Sequence, residues 1–445
     1  MAIDQTSRLI EHVRSIRYDS LSPEVVAMAR LCLLDWIGVT VAGATEPLVE
    51  ILVADALADG GGTSLVVGRP EQVRPLDAVM INGAAGHALD YDDGNPAMLG
   101  HPTAPLAPPV LELGASLGAS GADVLVALVA GAEASAFTGR YLGQQHYRQG
   151  FHGTATTGAI GAAVAAGVLL GLDADQLTRA VGLAATRAAG LRISFGTMAK
   201  PLHAGHAAWV GLSSARLAAR GFTGSDEALG PRGMAAVLGG TGAEPELGQG
   251  FAIAQNRFKW HASCYMTHGS IEALGTLRRQ HELEPQMVDR VTLRVPPHAE
   301  GVCNIAEPDE GLAIKFSLRM TAALVLSGIE TSDPASFSDA NARDPQLRAL
   351  RDRIDVVLDP AVRAGAEVRV QLVDGRALEA GLDPDTIVLP LADLSERLER
   401  KFMALAAPRL GEARADEVRR IVRSLERLPD TRGLTSLLAV NCADG

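Results

Sequence analysis

The sequence contains few lysines, few aromatic residues and few cysteines. Of its 40 basic residues, lysine occurs only at positions 200, 259, 315 and 401. Arginine stays protonated in proteins, whereas a buried lysine can release its proton, so a lysine kept in this background is a candidate acid or base. Lys200 and Lys259 lie in apolar stretches that contain histidines, and we expect them to be functional. For Lys315 and Lys401, chance survival in an arginine-rich sequence is an equally good explanation.

The scarcity of aromatic residues and the charge balance limit the core and the partners. Aromatics make up 4% of the 445 residues and hydrophobic residues 47%, so the core must consist of small aliphatic side chains and glycine. A core of this kind indicates closely packed helices. The net charge of −12, with no basic run, excludes nucleic acid and anionic membranes as expected partners. An anionic substrate would need a local basic pocket.

Cysteine usage and the lack of long apolar runs indicate a cytoplasmic protein. The four cysteines are scattered without CxxC pairing, which favours free thiols over a disulfide framework. The N-terminus has charged residues spaced through it, unlike a signal peptide. No run of eighteen apolar residues occurs, and the longest candidate, 155–171, is expected to be a buried helix.

The common nucleotide and hydrolase motifs are also absent. No GxGxxG follows a strand, and there is no P-loop, no GxSxG and no cysteine ligand set. We therefore expect no cofactor and disfavour redox, ATP-dependent and serine-hydrolase chemistry. Proton transfer by His, Lys, Asp and Tyr remains, with cations stabilising an anionic intermediate.

Hydrophobic periodicity predicts a mainly α protein with an inserted α+β domain. Helical spacing and capping residues predict helices at 22–43, 76–90, 104–117, 122–138, 154–171, 174–188 and 201–220. Alternation predicts strands at 288–295, 354–359, 366–375 and 376–382, with a helix at 316–328 between them. Amphipathic helices return over 391–427. The prediction is a helical domain of residues 1–255 and 395–445, with residues 256–394 as a smaller lid domain.

Residues 86–105 form the first cluster that could carry chemistry. His87, Asp90, Asp92, Asp93 and His101 fall within this short stretch. Crowded carboxylates perturb one another's pKa and that of a nearby histidine. The functional interpretation is an active-site loop with Asp90 and His101 pointing inward. A metal site and a capped helix end with solvated acids are the alternatives.

A second cluster, residues 141–158, leads into a helix rich in small residues. His146, Tyr147 and His152 would lie in a loop beside the first turn of that helix, where free N–H groups can bind a carboxylate. N-capping threonines with surface histidines are the alternative. Arg192 could clamp a carboxylate, or it could be a surface cation. His203 lies close to Lys200 in the sequence.

These clusters, in this order, resemble the MmgE/PrpD family, whose members include 2-methylcitrate dehydratase, cis-aconitate decarboxylase and iminodisuccinate epimerase. The resemblance rests on HALDYDD…HP (87–102), GFHGTATTGAIGAA (150–163), FGTMAKPLHAGHAA (195–208) and FKWHASCYMTH (258–268). It implies a helical domain with an inserted α+β lid domain, and a homodimer. It also implies roles for Asp90, His101, His152, Lys200 and Lys259.

Three positions depart from the family's decarboxylases. A Thr of the active-site loop falls at Gly94, a His at Cys264 and a Tyr of the lid helix at Met320. Loss of the Thr and Tyr hydroxyl donors would slow the departure of hydroxide more than it would slow epimerisation by two bases. The resemblance therefore favours epimerisation next to a carboxylate in an iminodisuccinate-type substrate, with a dehydratase or lyase as the alternative.

The expected roles follow from that preference. Lys200 and one of His101, His152 or Tyr147 would be the opposed acid and base, and Asp90 would orient a histidine. Carboxylates of a small anionic substrate would be bound by further basic side chains: Lys259, Arg192, His203 and His146. A metal-dependent hydrolase built on the first cluster, and a non-catalytic protein that only binds dicarboxylates, are hypotheses from other classes.

Overall fold

A computed structural model describes residues 5–245, 247, 250–386 and 389–440. The first part of the chain is helical, as predicted. Its helices are Gln5–Ser15 (α1), Pro23–Gly43 (α2), Pro47–Ala58 (α3), Pro75–Ala88 (α4), Thr103–Leu117 (α5), Gly121–Arg148 (α6), Gly153–Leu169 (α7), Ala174–Ala185 (α8), Ala199–Ala219 (α9) and Met234–Val237 (α10). A two-stranded hairpin pairs Ser64–Leu65 (β1) with Gln72–Val73 (β2).

The second part alternates helices and strands. Its helices are His268–His281 (α11), Glu300–Cys303 (α12), Gly311–Ile314 (α13), Leu318–Leu326 (α14), Asp339–Arg343 (α15) and Pro345–Arg351 (α16). Its strands are Val288–Val295 (β3), Ile354–Leu358 (β4), Ala366–Leu372 (β5) and Ala377–Leu382 (β6). They form one sheet in the order β4-β3-β5-β6, in which β3 and β4 are parallel and the other pairs antiparallel. The mainly α fold with a smaller α+β part is confirmed.

The chain then returns to helix. Leu391–Leu410 (α17), Glu412–Arg423 (α18) and Arg432–Leu437 (α19) complete the described fold. Helix α17 packs against α2, near the beginning of the chain. One large apolar core draws on residues 9–258 and 398–438, and a second draws mainly on residues 262–372. This distribution of the two cores supports a division into two domains. The exact domain boundaries remain a prediction.

Most predicted helices and strands lie within a few residues of their observed bounds, but α6 is longer than expected. It continues to Arg148, so His146 and Tyr147 lie on its last turns and not in a loop. The prediction ended this helix at residue 138. Gly143 inside it has φ 71°, a left-handed conformation that only glycine adopts without strain, and the helix bends there.

The apolar helices and the cysteines lie inside the protein. By length and composition alone, α2 and α6 could cross a membrane, but 83% of the apolar window of each is buried within the fold, as in core helices. The sequence pointed instead to 155–171 as the longest apolar run and predicted a buried helix there, which α7 confirms. Cys32, Cys264 and Cys303 are buried free thiols, and Cys442 lies outside the described residues.

Candidate active site

A cavity of about 270 Å³ lies where the segment after α4, the start of α7 and the start of α9 meet the second part of the chain. Six of the predicted site residues line it together with further side chains from both parts. The lining includes Asp90, Gly94, His101, Tyr147, His152, Phe195, Lys200, Arg257, Lys259, Cys264, Tyr265, His298 and Phe316.

The segment 89–91, which follows α4, is surrounded by lysines. Helix α4 ends at Ala88, and Asp90 has φ 51°, a left-handed backbone conformation that costs energy in a residue with a Cβ. All four lysines of the chain are buried, with exposed fractions between 2% and 8%. Each of their ammonium groups donates to an atom of this segment: Lys200 and Lys259 to Asp90, Lys315 to Leu89, and Lys401 to Tyr91.

The carboxylate of Asp90 binds two of these ammonium groups. Its Oδ1 lies 2.5 Å from Lys200 Nζ and 2.9 Å from Lys259 Nζ. Burial by itself would raise the pKa of Asp90, but the two ammonium groups outweigh it and hold that pKa well below its usual range. Asp90 is thus a carboxylate at neutral pH, and two positive charges face one negative charge at the cavity wall. Its Oδ2 is buried without a partner among the described residues.

Asp92 holds two histidines. Its Oδ2 lies 2.9 Å from His87 Nδ1 and 3.2 Å from His101 Nδ1. The His101 ring then presents Nε2, 3.8 Å from Asp90 Oδ1, toward the cavity. Burial, outweighing the attraction of Asp92, lowers the pKa of His87 to about 3. A carboxylate that fixes one ring nitrogen of a histidine leaves the other free to exchange a proton with a substrate.

His152 also lines the cavity, with its ring stacked on that of His87 at 5.9 Å between centroids. It immediately precedes α7, and its Nδ1 lies 3.1 Å from His203 Nδ1. Burial and the nearby charge of Lys200 hold the pKa of His152 well below its usual value, so the ring is neutral at neutral pH. The same two causes lower the pKa of His203 to about 4. His203 contacts His152 from behind and does not line the cavity itself.

The predicted acids of the first cluster are not solvated. Asp90, Asp92 and Asp93 are all buried, so the interpretation as a capped helix end with exposed acids is wrong. Asp93 points away from the cavity, where its carboxylate accepts hydrogen bonds from the Thr103 hydroxyl and the Asn256 amide. Burial raises the pKa of Asp93 to about 7.

Tyr147 and His146 of the second cluster, and Arg192, are engaged in the fold in different ways. Tyr147 lines the cavity, and burial raises the pKa of its phenol to about 12 despite the neighbouring Arg192. Arg192 lies over the Tyr147 ring and donates to the carbonyl groups of Tyr147 and Gly301. His146 is buried outside the cavity. Both of its ring nitrogens are used, by Leu238 O and by the Thr156 hydroxyl, each at 2.8 Å.

The N-terminus of α7 does not face the cavity as an open anion site. The loop that ends at His101 lies directly on it: the Thr154 hydroxyl accepts a hydrogen bond from the His101 backbone N–H at 2.9 Å. This close approach requires glycine, because a Cβ on Gly153 would come within 2.2 Å of Met98 O. Thr154 therefore has a structural role and holds the His101 loop in place.

Polar residues on the outer side of the cavity were not predicted from the sequence. Arg257 pairs with the Asp385 carboxylate, and Tyr265 OH donates to the same carboxylate at 2.8 Å. The backbone of Arg257 also pairs with that of Gly94, which joins the two loops. His298 lies nearby in the cavity wall. In the sequence, only its position next to one of the quoted motifs could have identified Arg257 as a site residue. No sequence feature identified Asp385.

The three departures from the family's decarboxylases occupy different places. Gly94 and Cys264 line the cavity, whereas Met320 is fully buried in the second core. A hydrogen bond from the Cys303 thiol lowers the pKa of Cys264, and the same contact raises that of Cys303. Cys264 is thus the more acidic of two touching thiols, and it lines the same cavity as Lys200 and Lys259.

Four of these side chains could also surround a metal ion. One donor atom from each of His87, Asp90, Asp92 and His101 lies within 4.8 Å of the others. The same carboxylates already bind two ammonium groups and two imidazoles. A divalent cation entering here would be repelled by the ammonium groups of Lys200 and Lys259. These four side chains are therefore less suited to holding a divalent cation than to having an anionic ligand bound beside them.

Comparisons with known proteins agree with this geometry. Models of the MmgE/PrpD N-terminal and C-terminal domains match residues 7–247 and 261–427. The second match includes α17, which packs with the N-terminal part here. The cis-aconitate decarboxylase of Aspergillus terreus (strain NIH 2624 / FGSC A1156) is 28% identical, with 98% of this chain and 96% of that protein covered. Those of Homo sapiens and Mus musculus are 27% and 26% identical, covering 96% of this chain and 92% and 91% of theirs.

These relatives bear on the expected activity as well as on the family. All three are decarboxylases that by name act on cis-aconitate. They do not support the preference for iminodisuccinate epimerisation, and the lyase alternative is the better supported of the two. Two domain models that together span most of the chain show its membership directly. The chain belongs to the MmgE/PrpD family.

Proposed function

We propose that the protein is a cofactor-independent lyase that acts on a small tricarboxylate of the cis-aconitate type. The observation that carries the proposal is the meeting of Lys200, Lys259 and Asp90 with His101 and His152 in one cavity. The names of the relatives support a decarboxylation rather than another reaction of this class.

The size and charge of the cavity support a small polyanion as substrate. About 270 Å³ lies slightly below the usual range for drug-sized ligands, roughly 300–1,000 Å³. Lys200 and Lys259 together exceed the charge of Asp90 by one, and Arg257 adds a further cation on the outer side, partly neutralised by Asp385. These charges form a local basic pocket in a chain whose net charge is −12. Phe195 and Phe316 line the same cavity and limit access of water.

Decarboxylation would use these groups as follows. The bond between a carbon and its carboxyl group breaks, CO₂ leaves, and the electron pair shifts into the adjacent carbon–carbon double bond, which moves by one position. The negative charge that develops on carbon and on the remaining carboxylates is stabilised by the ammonium groups of Lys200 and Lys259. A proton must then be delivered to carbon. Lys200 is the proposed donor. Asp90 stays ionised and holds the ammonium group in place, and His101 is the proposed group that returns a proton to Lys200.

Dehydration of a hydroxylated tricarboxylate is the second candidate. Gly94 and Cys264 line the cavity where the resemblance would put a threonine and a histidine in a decarboxylase, and these departures weaken decarboxylation. Gly94 also lacks a hydroxyl donor for the departing hydroxide, so dehydration is the second candidate and not the first. In this reaction a proton leaves the carbon next to a carboxylate, and the hydroxyl group departs with a proton from the enzyme. His152, neutral at neutral pH, is then the proposed base.

A proton NMR assay in D₂O separates these reactions. The purified protein is incubated with cis-aconitate, citrate-like hydroxy acids and iminodisuccinate, and each spectrum is followed in time. The proposal predicts loss of cis-aconitate, appearance of an unsaturated dicarboxylate labelled with one deuteron, and release of CO₂. Formation of an unsaturated acid with no CO₂ would favour dehydration. Deuterium exchange into iminodisuccinate with no net reaction would restore epimerisation and overturn the proposal.

Two further outcomes test the hypotheses from other classes. A metal-dependent hydrolase built on His87, Asp90, Asp92 and His101 would lose activity on exhaustive chelation and regain it with added metal, whereas the proposed lyase would keep its activity. A protein that only binds polycarboxylates would give a calorimetric binding signal without any isotope exchange. A homodimer and a cytoplasmic location belong to the same proposal. Analytical ultracentrifugation tests the homodimer, and fractionation of the source cells tests the location.

A further inference from the structure

Three consecutive backbone carbonyl groups in the segment 89–91 each accept a hydrogen bond from a different lysine. The donor–acceptor distances are 2.6 Å for Lys315 Nζ to Leu89 O, 2.8 Å for Lys259 Nζ to Asp90 O and 2.8 Å for Lys401 Nζ to Tyr91 O. Lys259 also reaches the Asp90 carboxylate and lines the cavity. Lys315 and Lys401 do not line the cavity, so their ammonium groups cannot bind substrate there.

This arrangement explains how Asp90 keeps an unfavourable backbone conformation. A φ of 51° puts Asp90 in the left-handed region, which persists in non-glycine residues only when the surroundings hold it. The Leu89 carbonyl, bound by Lys315, belongs to the peptide plane before Asp90, and the Asp90 carbonyl, bound by Lys259, belongs to the plane after it. The Tyr91 carbonyl, bound by Lys401, fixes the next peptide plane along the segment. The Asp90 side chain then points its Oδ1 at Lys200 and Lys259.

The two outer lysines come from different parts of the fold. Lys315 follows α13 in the second part, where it also lies near the Phe337 ring and Glu46. Lys401 lies on α17, packs over the Tyr91 ring and forms a buried ion pair with Asp35 at 2.7 Å. The conformation of the segment 89–91 therefore depends on both parts being docked together.

Burying an ammonium group costs free energy of desolvation, so the burial of Lys315 and Lys401 needs an explanation. Burial lowers the pKa of Lys315 to about 8 despite the nearby Glu46, and it also lowers that of Lys401. A buried apolar side chain would fill the same space without this cost. We infer that Lys315 and Lys401 are positioning residues, which hold the Leu89 and Tyr91 carbonyl groups so that Asp90 faces the catalytic Lys200. The inference rests on the proposed function for the role of Asp90 and Lys200.

Lys315→Met is the direct test, because it removes the ammonium group and keeps an unbranched side chain. We expect kcat to fall about 10²-fold, the effect of a displacement near 1 Å at a reacting group, with a smaller change in KM. The melting temperature should stay near that of the wild type, since a costly buried charge is lost with the hydrogen bond. Arg351→Met is the matched control: Arg351 is also buried in the second part but does not line the cavity, and its variant should keep kcat.

Rescue separates positioning from a general structural role. A cleft of about 1,020 Å³, lined by Leu89, Phe337 and Glu46, adjoins the Lys315 site, so a small amine can reach it. Propylammonium added to Lys315→Ala should therefore restore part of kcat, and the uncharged propanol should not. For Lys401, the double variant Lys401→Met/Asp35→Leu avoids leaving a lone buried charge, and it should show the same fall in kcat.

The outcome that overturns the inference does not depend on knowing the reaction. Crystals of Lys315→Met should show Asp90 displaced from positive φ, with its Oδ1 farther from Lys200. An unchanged Asp90 conformation, or a wild-type kcat in this variant, would refute the positioning role. If the wild type converts none of the tested acids, the proposed function fails instead, and the crystal structure still decides the positioning of Asp90.

Discussion

Replacing Lys200 by methionine tests the central group of the proposed mechanism. Lys259, Lys315 and Lys401 each donate a hydrogen bond to a backbone carbonyl, whereas Lys200 donates to Asp90 Oδ1 and, within the described residues, to no carbonyl. Its ammonium group also lies 5.3 and 4.9 Å from the ring centres of Phe195 and Phe316. It is therefore the lysine most free to turn from Asp90 to a substrate.

The expected loss is large in rate and small in stability. A positioned general acid contributes about 10²–10⁴-fold to turnover, so kcat of Lys200→Met should fall by that factor. Asp90 keeps its contact with Lys259 at 2.9 Å, so the carboxylate is not left alone in the interior. The free energy of unfolding should therefore fall only by about 1.5–3 kcal/mol, the contribution of one hydrogen bond to a charged group.

Lys200→Arg distinguishes proton transfer from charge alone. Arginine keeps the positive charge but does not release its proton in proteins. Both variants should be inactive in the NMR assay with cis-aconitate if Lys200 moves a proton, and Arg220→Met, an exposed change at the end of the same helix, should be fully active. Near-wild-type turnover in Lys200→Met would refute the mechanism. Activity kept in Lys200→Arg alone would reduce Lys200 to an electrostatic role.

Three further predictions address the neighbouring residues. Asp92→Asn should lower kcat about 10²-fold, because His101 loses the carboxylate that orients its ring; an unchanged pH–rate profile would contradict this. His146→Ala should cost about 1–3 kcal/mol of stability in urea denaturation and leave kcat unchanged, since both ring nitrogens bind within the fold. The depressed pKa values of Asp90 and Asp92 stabilise the fold above the unfolded pKa of about 3.9, and this stabilisation is lost as pH falls below it. Urea midpoints measured from pH 7 down to pH 3 should therefore fall more steeply in the wild type than in Asp92→Asn.

Much of the local structure followed from the sequence. Strand β3 was predicted with its observed bounds, Val288–Val295, because apolar and polar residues alternate along it and the apolar ones are buried. Helix α2 was predicted to within one residue, since Ser22 caps it and Pro23 begins it. Helix α6 was underestimated: it was predicted to end at residue 138, whereas helical structure continues to Arg148 across a kink at Gly143.

The sequence predicted the types of side chain in the candidate site but only some of the residues that line the cavity. A lysine kept among arginines indicated Lys200 and Lys259, and both line the cavity. Arg192, His203 and His146 lie outside its lining, because helix phase and packing direct their side chains toward other partners. Arg257 and Asp385 are 128 residues apart in sequence, and only folding brings them together at the cavity.

The sequence by itself determined the fold class, the anionic character of the expected substrate and the set of groups able to move protons. Those properties depend on residue type and on short-range spacing. Tertiary structure alone decided that Lys315 and Lys401, which in sequence could be chance survivors, join the other two lysines around one three-residue segment. It also decided the left-handed backbone of Asp90. The physical reason is that both depend on contacts between helices and loops hundreds of residues apart, and no local pattern encodes them.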